Sequence, residues 1–473
     1  MVYKNNSGER CFIVITKKRT GRAHIVNDNK KLFDNLWKDR PKELNKRFFM
    51  LEERFTGESF NQKVNQIRPK DKSILVISSP ESVCWLLNIR GYDVENTPLI
   101  FSRLILTKQK IELFVNKNKV PNEFINKYKK VLIFDINKFE TTISKYLNKN
   151  ILVDKGISYF FYDLLNNNNN NVKLIDDPCI KRKSLKNSVE IKCSKQAHLK
   201  DGIALVKFFK WLDENYLKKK VTEFLAAKIL EDFRKENKDF FSPSFGTISA
   251  SGPNASIIHY QPEPNSPVIK KDNLYLCDSG GQYYGGTTDV TRTVFLGKKK
   301  PSNIIKELYT KVLIGHINIA TLKFPIGTKG FQIDSLARYN LWNCGLDYNH
   351  GTGHGVGSFL GVHEGPQSIS KNMNNTVLEP GMILSNEPGY YKDKMFGIRI
   401  ENLVLVKKSS FKDFLEFETL SLFPYDLNLI KSEMLNNEQK KFVNSYHSKV
   451  YKSLSPFLKK NYNLWLKKKT KLI

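Results

Sequence analysis

Short apolar runs alternate with polar stretches in the first third of the chain. The runs at 73–79 (SILVISS) and 130–136 (KVLIFDI) are typical of buried strands, and the stretches between them are compatible with helices. This pattern predicts a small α/β domain. A run of asparagines at 166–171 is followed by a proline and a basic stretch, which indicates a linker or the edge of a loop.

Beyond the asparagine run, the pattern changes to helices and alternating strands. Apolar residues at steps of three and four predict a helix over 199–212. Ser302 is a candidate N-cap of a second helix, and a third over 331–345 would close with Gly345 in the left-handed conformation. Strand-like segments lie at 273–278, 287–296, 381–388 and 396–406. The last of them alternates throughout, so we expect an α+β class with strands paired as hairpins.

Composition limits the class of protein. The 473 residues predict two or three domains, and 40% hydrophobic with 12% aromatic residues is typical of globular proteins. The apolar run near Met1 is too short for a signal peptide, and no run of 18 apolar residues occurs, so no membrane partner is expected. Six scattered cysteines without a CxxC pair indicate reduced thiols in the cytoplasm.

The formal net charge of +30 raises the question of a nucleic-acid partner. Arginine supplies a small minority of the 77 basic residues, and lysine is spread along the whole chain. Proteins that recognise bases use arginine and cluster it. We therefore interpret the charge as a solvated lysine surface and expect no nucleic-acid partner.

Two predicted hairpins each carry a symmetric pair of acids. Asp278 and Asp289 lie at equal distances from the centre of GGQYYGG, and Glu387 and Glu401 lie at equal distances from Lys394. Residues so placed would face each other across the strands, with Cβ atoms about 5 Å apart. Opposed like charges cost stability and require compensation. Exposure at strand ends, or pairing with Arg292 and Arg399, would supply it; two symmetric pairs favour two divalent cations instead.

The segment HGTGHGVGSFLGVHEGP, at 350–366, holds three of the eight histidines. His354 is the natural imidazole ligand, because flanking glycines allow close backbone approach. His350 and His363 would then support the ligands or face a substrate. One imidazole among carboxylates favours Mn²⁺, with Zn²⁺ and Co²⁺ as alternatives. The spacing matches neither a phosphate-binding glycine loop nor HExxH.

Four segments together resemble one family. DSGGQYYGGTTDVTRT, HGTGHGVGSFLGVHEGP, SNEPGYY and FGIRIEN resemble the Xaa-Pro aminopeptidases, which belong with the prolidases to the pita-bread metallopeptidases. SGPNASIIHYQP, WLLNIRG and FETLSLFPYD extend the resemblance from about residue 36 to the C-terminus and are most similar to the cytosolic, three-domain branch.

The resemblance implies that two divalent ions are held by Asp278, Asp289, His354, Glu387 and Glu401. Asp278 and Asp289 would bind one ion. His354 and Glu387 would complete the second site. The bridging carboxylates would be Asp289 and Glu401.

Other residues would act on the substrate. His259, His350 and His363 would line the pocket for the Xaa-Pro bond, and Arg399 would steady the carboxylates. Glu387 is the candidate base and proton shuttle, and His363 the candidate donor to the developing oxyanion.

The implied architecture is a C-terminal pita-bread domain with a curved antiparallel sheet, preceded by a smaller α/β domain. We expect a remnant of an N-terminal domain over 1–35, a creatinase-like domain over 36–178 and a catalytic domain over 179–473. Most of the first domain of the three-domain relatives would be missing.

The function implied by the resemblance is a homodimeric, dinuclear aminopeptidase that releases the N-terminal residue from peptides with proline at the second position. One alternative is a prolidase, which cleaves only Xaa-Pro dipeptides. The other is a pita-bread protein that binds partners without catalysis, although such relatives generally lose metal ligands.

Overall fold

The structure is a computed structural model that describes residues 44–473, together with Trp37, Asp39 and the backbone of four short strands nearer the N-terminus. The chain divides into two compact units, residues 1–183 and 184–473. The remnant expected over 1–35 lies outside the described residues, apart from those strands. The domain boundary drawn at residue 178 stays a prediction.

The first unit is built of short strands and helices. Its strands are β1 (Val2–Lys4), β2 (Arg10–Phe12), β3 (Val14–Lys17), β4 (Ala23–Val26), β5 (Phe49–Met50), β6 (Ile74–Ile77), β7 (Ile89–Arg90), β8 (Ser102–Leu106), β9 (Ile111–Val115), β10 (Val131–Phe134), β11 (Asn150–Asp154) and β12 (Asn171–Ile175). Its helices are α1 (Glu53–Thr56), α2 (Phe60–Ile67), α3 (Pro80–Leu86), α4 (Asn122–Lys127), α5 (Lys138–Ile143), α6 (Tyr159–Asn166) and α7 (Pro178–Ser184), with a 3₁₀ turn at Lys117–Lys119.

A six-stranded sheet organises this unit, in the order β10-β9-β8-β6-β11-β12. β8 runs antiparallel to its neighbours, and the strands on either side of it pair in parallel. β6 and β8 are buried throughout because both faces of the sheet are covered. β6 and β10 fall in the two apolar runs predicted as strands, which confirms both.

The asparagine run forms the turn between α6 and β12. Asn170 is buried, and its carboxamide bonds backbone groups of the neighbouring elements: it accepts from the Lys149 N–H at 2.9 Å and donates to the carbonyls of Tyr146 and Leu165. The run is therefore the edge of a loop within the unit. The linker interpretation is wrong, because the run lies inside the first unit and the buried Asn170 side chain satisfies backbone groups of its neighbours.

The second unit combines longer helices with small sheets. Its strands are β13 (Phe240–Pro243), β14 (Ile248–Ser251), β15 (Asn273–Ser279), β16 (Gly281–Tyr283), β17 (Gly286–Thr287), β18 (Val290–Leu296), β19 (Lys323–Pro325), β20 (Gly353–His354), β21 (Ser368–Ile369), β22 (Ile383–Asn386), β23 (Gly389–Lys392), β24 (Phe396–Arg399), β25 (Asn402–Lys408) and β26 (Phe414–Thr419). Its helices are α8 (Ser188–Asn215), α9 (Glu223–Lys235), α10 (Asn303–Ala320), α11 (Gly330–Trp342), α12 (Asn437–Leu454) and α13 (Lys460–Lys469), with 3₁₀ turns at Gly252–Ser256, Ser432–Met434 and Ser455–Phe457.

The predicted helices of this unit are present with the predicted caps. The periodic segment 199–212 lies inside α8. The Ser302 hydroxyl accepts from the Ile305 N–H at the start of α10. α11 ends in a Schellman motif: Gly345 has a φ of +69°, and the Leu346 N–H donates to the Leu341 carbonyl at 3.0 Å.

The sheets of this unit are antiparallel, as expected for the α+β class. They are ordered β13-β16-β17, β14-β15-β18 and β19-β26-β25-β22, with two-stranded pairs β20-β21 and β23-β24. The segment 396–406, predicted as one continuous strand, is broken into β24 and β25. The break occurs because the Glu401 N–H leaves the hairpin and donates to the Thr291 carbonyl on β18 at 3.1 Å.

The main core of the second unit packs helices α8, α10, α12 and α13 against the strands around β15 and β18. Phe209 of α8 stacks on Phe423 with ring centroids 4.7 Å apart, and Val450 of α12 is fully buried in the same cluster. Among the described residues, no helix is both long and apolar enough to cross a membrane.

His316 of α10 is a buried, neutral histidine. Its Nδ1–H donates to the Asn386 carbonyl at 3.0 Å, and its Nε2 accepts from Asn402 Nδ2 and the Tyr425 hydroxyl at 3.1 Å. Burial, aided by the nearby Arg292 charge, lowers the pKa of His316 to about 3. In the unfolded chain a histidine titrates near pH ~6.5. Stability supplied by the neutral imidazole is therefore present above that pH and is lost as the pH falls toward 3.

We expect His316→Gln to flatten the pH dependence of the free energy of unfolding below pH ~6.5, by up to about 1.4 kcal/mol per pH unit. Urea unfolding of metal-free protein between pH 7.5 and 5 measures this slope. His259→Gln is the matched control, because the His259 side chain is exposed. Equal slopes for wild type and His316→Gln would show that His316 is not held neutral by the fold.

Candidate metal centre

A cavity of about 570 Å³ opens in the second unit. The nine site residues predicted from the sequence all line it: His259, Asp278, Asp289, His350, His354, His363, Glu387, Arg399 and Glu401. Phe245, Ile248, Ile258 and Gln261 form another part of its wall. The fold therefore brings together residues that are up to 142 positions apart in the chain.

The first acidic pair comes from the β15–β18 hairpin, with a register that differs from the predicted one. Asp278 pairs with Thr291, and the turn is centred on Tyr284 and Gly285, one position later than expected. The prediction that Asp278 lies directly opposite Asp289 is therefore wrong. Asp289 lies two residues before Thr291, so the two acids still share one face of the hairpin as diagonal neighbours.

The second acidic pair lies in a gap between two ladders. β22 pairs with β25 and β23 pairs with β24 in one continuous register. Glu387 and Glu401 fall between the ladders and are opposite each other in that register. The hairpin tip includes Lys394, at a φ of +53°, which confirms the predicted centre.

Close backbone approach brings the histidine segment against these strands. A Cβ on Gly353 would lie 2.0 Å from the Ser385 carbonyl, and a Cβ on Gly355 would lie 2.0 Å from the Glu364 carbonyl. The glycines are thus required by contact with neighbouring backbone, as the sequence suggested for the residues around His354.

The His354 ring is oriented toward the acids. Its Nδ1–H donates to the Gly355 carbonyl at 3.0 Å, which leaves the Nε2 lone pair facing inward. Nε2 lies 3.4 Å from both Asp289 Oδ2 and Glu387 Oε1. One ligand atom each of Asp289, His354 and Glu401 lies within 4.8 Å of the other two, a spacing that suits a shared metal ion.

The other three histidines differ in what they offer. His350 has both ring nitrogens engaged, Nδ1 with the Gly351 carbonyl at 2.8 Å and Nε2 with the Tyr391 hydroxyl at 2.9 Å. His350 therefore offers the cavity the surface of its ring and no free ring nitrogen. His259 and His363 are exposed side chains at the cavity, and the His363 ring lies edge-on to His354 with centroids 4.3 Å apart.

Arg399 compensates one of the acids directly. Its Nη2 donates to Asp278 Oδ2 at 2.6 Å, so the salt-bridge interpretation holds for this pair. Arg292 does not serve the same purpose: it donates to the carbonyls of Thr291, Glu401, Phe423 and Pro424 and to side-chain oxygens of Asn402 and Tyr446. The remaining acids are left without an arginine partner among the described residues.

Three residues that the sequence reasoning did not single out complete the site. The Tyr391 hydroxyl links His350 to Arg399: Arg399 Nη1 donates to this hydroxyl at 2.6 Å. The Thr291 hydroxyl donates to Glu401 Oε2 at 2.6 Å, and the Ser385 hydroxyl donates to Glu387 Oε1 at 2.9 Å. Thr291 and Ser385 each lie two positions from a predicted ligand on the same strand face, a signal that was available in the sequence.

Three family models match consecutive segments of the chain. Residues 39–190 match the creatinase/prolidase N-terminal domain, residues 192–408 match metallopeptidase family M24, and residues 413–473 match the C-terminal region of the M24 peptidases. The chain is also 39% identical to a probable Xaa-Pro aminopeptidase P of Coprinopsis cinerea, over 95% of this chain and 77% of the relative. The chain belongs to the Xaa-Pro aminopeptidase branch of metallopeptidase family M24.

Solved structures agree with this membership. The X-prolyl aminopeptidase of Caenorhabditis elegans, described as a cytosolic enzyme with a di-nuclear active site, is similar with a TM-score of 0.90 and 32% identity, over 95% of this chain and 76% of that one. The prolidase of Pyrococcus furiosus is similar with a TM-score of 0.60 and 25% identity, over 76% of this chain and 98% of that one. The resemblance and the pita-bread fold expected from the sequence are confirmed.

M24 membership implies a metal-dependent hydrolase, and the side chains of this chain fit metal ions. Asp278 Oδ1 and Asp289 Oδ1 are buried and have no hydrogen-bond partner within the described part of the chain. Carboxylate oxygens and one imidazole nitrogen are ligands that divalent cations accept. A bound cation would compensate the buried negative charge of these two oxygens.

The electrostatics of the metal-free site lead to the same conclusion. Burial, together with the charges of Asp278 and Glu387, raises the pKa of Asp289 well above its ordinary value. Burial and the Asp289 charge do the same to the pKa of Glu401. A carboxyl group whose pKa is raised by folding costs stability at every pH above its unfolded pKa, because the unfolded chain ionises more easily. At neutral pH the metal-free acids therefore destabilise this M24 chain.

We expect Asp289→Asn to stabilise the metal-free protein at pH 7 and to remove stabilisation by Mn²⁺. The Tm of the EDTA-treated variant should exceed that of the wild type by ~2 °C or more, and added Mn²⁺ should raise only the wild-type Tm. Asp393→Asn, at the exposed hairpin tip, is the control that should change neither value. A lower Tm for metal-free Asp289→Asn would contradict the repulsion described above.

Proposed function

We propose that this protein is an aminopeptidase that releases the first residue from peptides with proline in the second position, using two divalent metal ions. The observation that carries the proposal is the convergence of Asp289, His354 and Glu401 in one cavity. Glu387 and Asp278 line the same cavity. The relatives named Xaa-Pro aminopeptidase support the substrate class.

Five side chains would hold the ions. Asp278 and Asp289 would bind one, His354 and Glu387 the other, and Asp289 and Glu401 would bridge them. The oxygen-rich ligand set favours Mn²⁺, with Zn²⁺ or Co²⁺ as alternatives. Bound ions would supply Lewis acidity, which polarises a peptide carbonyl and makes water a better nucleophile at neutral pH.

Glu387 is the proposed base. Its Oε1 is held by the Ser385 hydroxyl at 2.9 Å, and its Oε2 lies 3.9 Å from His350 Nδ1. A carboxylate in this position takes a proton from the attacking water and passes it to the proline nitrogen as that nitrogen leaves. Arg399 steadies the acid cluster through Asp278.

The histidines orient the substrate. The exposed His363 donates a hydrogen bond to the oxygen of the scissile carbonyl as negative charge develops there. His259 and the ring of His350 bound the space beside it. An Xaa-Pro amide has no N–H to anchor, so recognition depends on a pocket that accepts the proline ring.

The proposal includes two finer statements. A homodimer is expected from the family resemblance, and a cytoplasmic location is supported by the C. elegans relative, which is described as cytosolic.

We expect the purified protein to contain about two divalent ions per chain and to release arginine from Arg-Pro-Pro in the presence of Mn²⁺. Elemental analysis and chromatography of the products measure both quantities. Cleavage of Gly-Pro without cleavage of Arg-Pro-Pro would identify a prolidase instead. Absence of both metal and cleavage would favour a non-catalytic binding protein.

We expect Glu387→Gln to lower kcat by about 10²- to 10⁴-fold, the range typical of a lost general base. Steady-state hydrolysis of Arg-Pro-Pro measures this, with circular dichroism to verify folding. Glu307→Gln makes the same substitution at a surface ion pair with Lys431 and should keep kcat. Wild-type turnover in Glu387→Gln would exclude Glu387 as the base.

A further inference from the structure

Two charged residues of α11 are buried without lining the cavity. Asp334 and Arg338 are 2% and 1% exposed and lie one helical turn apart, among the apolar residues of the buried helix face. Arg338 Nε donates to Asp334 Oδ2 at 2.7 Å, and Nη2 donates to Oδ1 at 3.2 Å. A buried ion pair contributes little net stability compared with apolar residues of similar size. Its presence calls for another explanation.

The remaining donors of Arg338 hold the segment that carries His350. Nη1 donates to the Tyr348 carbonyl at 2.6 Å and to Asp347 Oδ1 at 2.8 Å, and Nη2 donates to the His350 carbonyl at 2.8 Å. The guanidinium also lies 3.8 Å from the centroid of the Tyr348 ring. Every N–H of the guanidinium is thus used, and three of these bonds fix the residues 347–350.

Asp334 extends the same network to the proposed base. The Thr352 hydroxyl donates to Asp334 Oδ1 at 2.6 Å and bonds the Tyr348 hydroxyl at 2.6 Å. The Thr352 carbonyl accepts the N–H of Glu387 at 2.8 Å. One helix turn therefore contacts the backbone beside His350 on one side and, through Thr352, the backbone of Glu387 on the other.

We propose that Arg338 and Asp334 are positioning residues, which hold the proposed base Glu387 and the cavity wall at His350 in fixed relation to each other. The proposal rests on the proposed function, since it assigns these two groups to the reaction. Neither Arg338 nor Asp334 is among the described residues that line the cavity, so both act through the backbone of others. Displacement of a reacting group by about 1 Å lowers turnover by about 10²-fold.

A purely structural role would make a different prediction. An ion pair that only stabilises α11 would lower activity in proportion to stability. A positioning role depends on the planar guanidinium group of arginine. Besides Asp334, this group donates at once to three further carbonyl or carboxylate oxygens. Lysine keeps the charge but has a single nitrogen, so it cannot reproduce those bonds.

The experiment compares Arg338→Lys with Val450→Ala, a fully buried core position on α12 that serves as the control for lost stability. We expect kcat for Arg-Pro-Pro to fall about 10²-fold in Arg338→Lys, with KM changed less than about threefold. Hydrogen exchange at residues 347–352 should rise in Arg338→Lys and stay at the wild-type level in Val450→Ala. Metal content, measured in parallel, shows whether the ions are retained.

A second variant keeps the test decisive if Arg338→Lys folds poorly. In Arg338→Ala, millimolar guanidinium should restore part of the lost kcat by entering the vacated space, and should not affect Val450→Ala. The proposal is overturned if Arg338→Lys matches the kcat of the control with unchanged exchange at 347–352. It is equally overturned if all variants lose activity in step with Tm and guanidinium rescues none.

Failure of the proposed function would be recognised separately. If the wild type cleaves no Xaa-Pro peptide, the exchange data alone decide the positioning role. Faster exchange confined to 347–352 in Arg338→Lys would support it, and unchanged exchange would refute it.

Discussion

The site depends on like charges held together out of water. Asp289 and Glu401 are 3% and 1% exposed, and their ligand atoms lie within 4.8 Å of each other and of the His354 ring. Arg399 compensates Asp278, and hydroxyl groups bond one oxygen each of Glu387 and Glu401. Asp278 Oδ1 and Asp289 Oδ1 are buried and have no hydrogen-bond partner among the described residues. Added positive charge stabilises such an arrangement, which is why the cluster suits the metal ions on which a metal-dependent hydrolase relies.

The backbone is interrupted where this cluster is built. A regular strand from 396 to 406 would keep the Glu401 N–H inside its own hairpin; instead that N–H bonds Thr291 on the other hairpin. The Thr291 side chain then reaches the Glu401 carboxylate. Two hairpins distant in sequence are joined at the same point by a backbone bond and a side-chain bond. The irregular backbone thus lies at the point where the two hairpins, and with them the two acidic pairs, meet at one cavity.

Local signals in the sequence predicted local structure well. Interactions within a few residues determine these features: the apolar runs of β6 and β10, the caps at Ser302 and Gly345, and the hairpin tip at Lys394. The register of the first hairpin was mispredicted because its two-residue turn at Tyr284 and Gly285 is off the centre of the glycine-rich segment. Contacts such as Tyr391 with His350, or Arg338 with the His350 carbonyl, depend on tertiary packing, and periodicity carries no information about them.

The second hairpin consists of two ladders in one register, separated by the gap that holds Glu387 and Glu401. The inner ladder, β22 with β25, is anchored in a four-stranded sheet, whereas the outer ladder, β23 with β24, is paired only with itself among the described strands. The acids border the anchored half, and Tyr391 and Arg399 belong to the tip half. Movement of the outer ladder alone would therefore alter the hydrogen bonds that Arg399 donates to Asp278 and that Tyr391 shares with His350, while the inner ladder kept its place in its sheet.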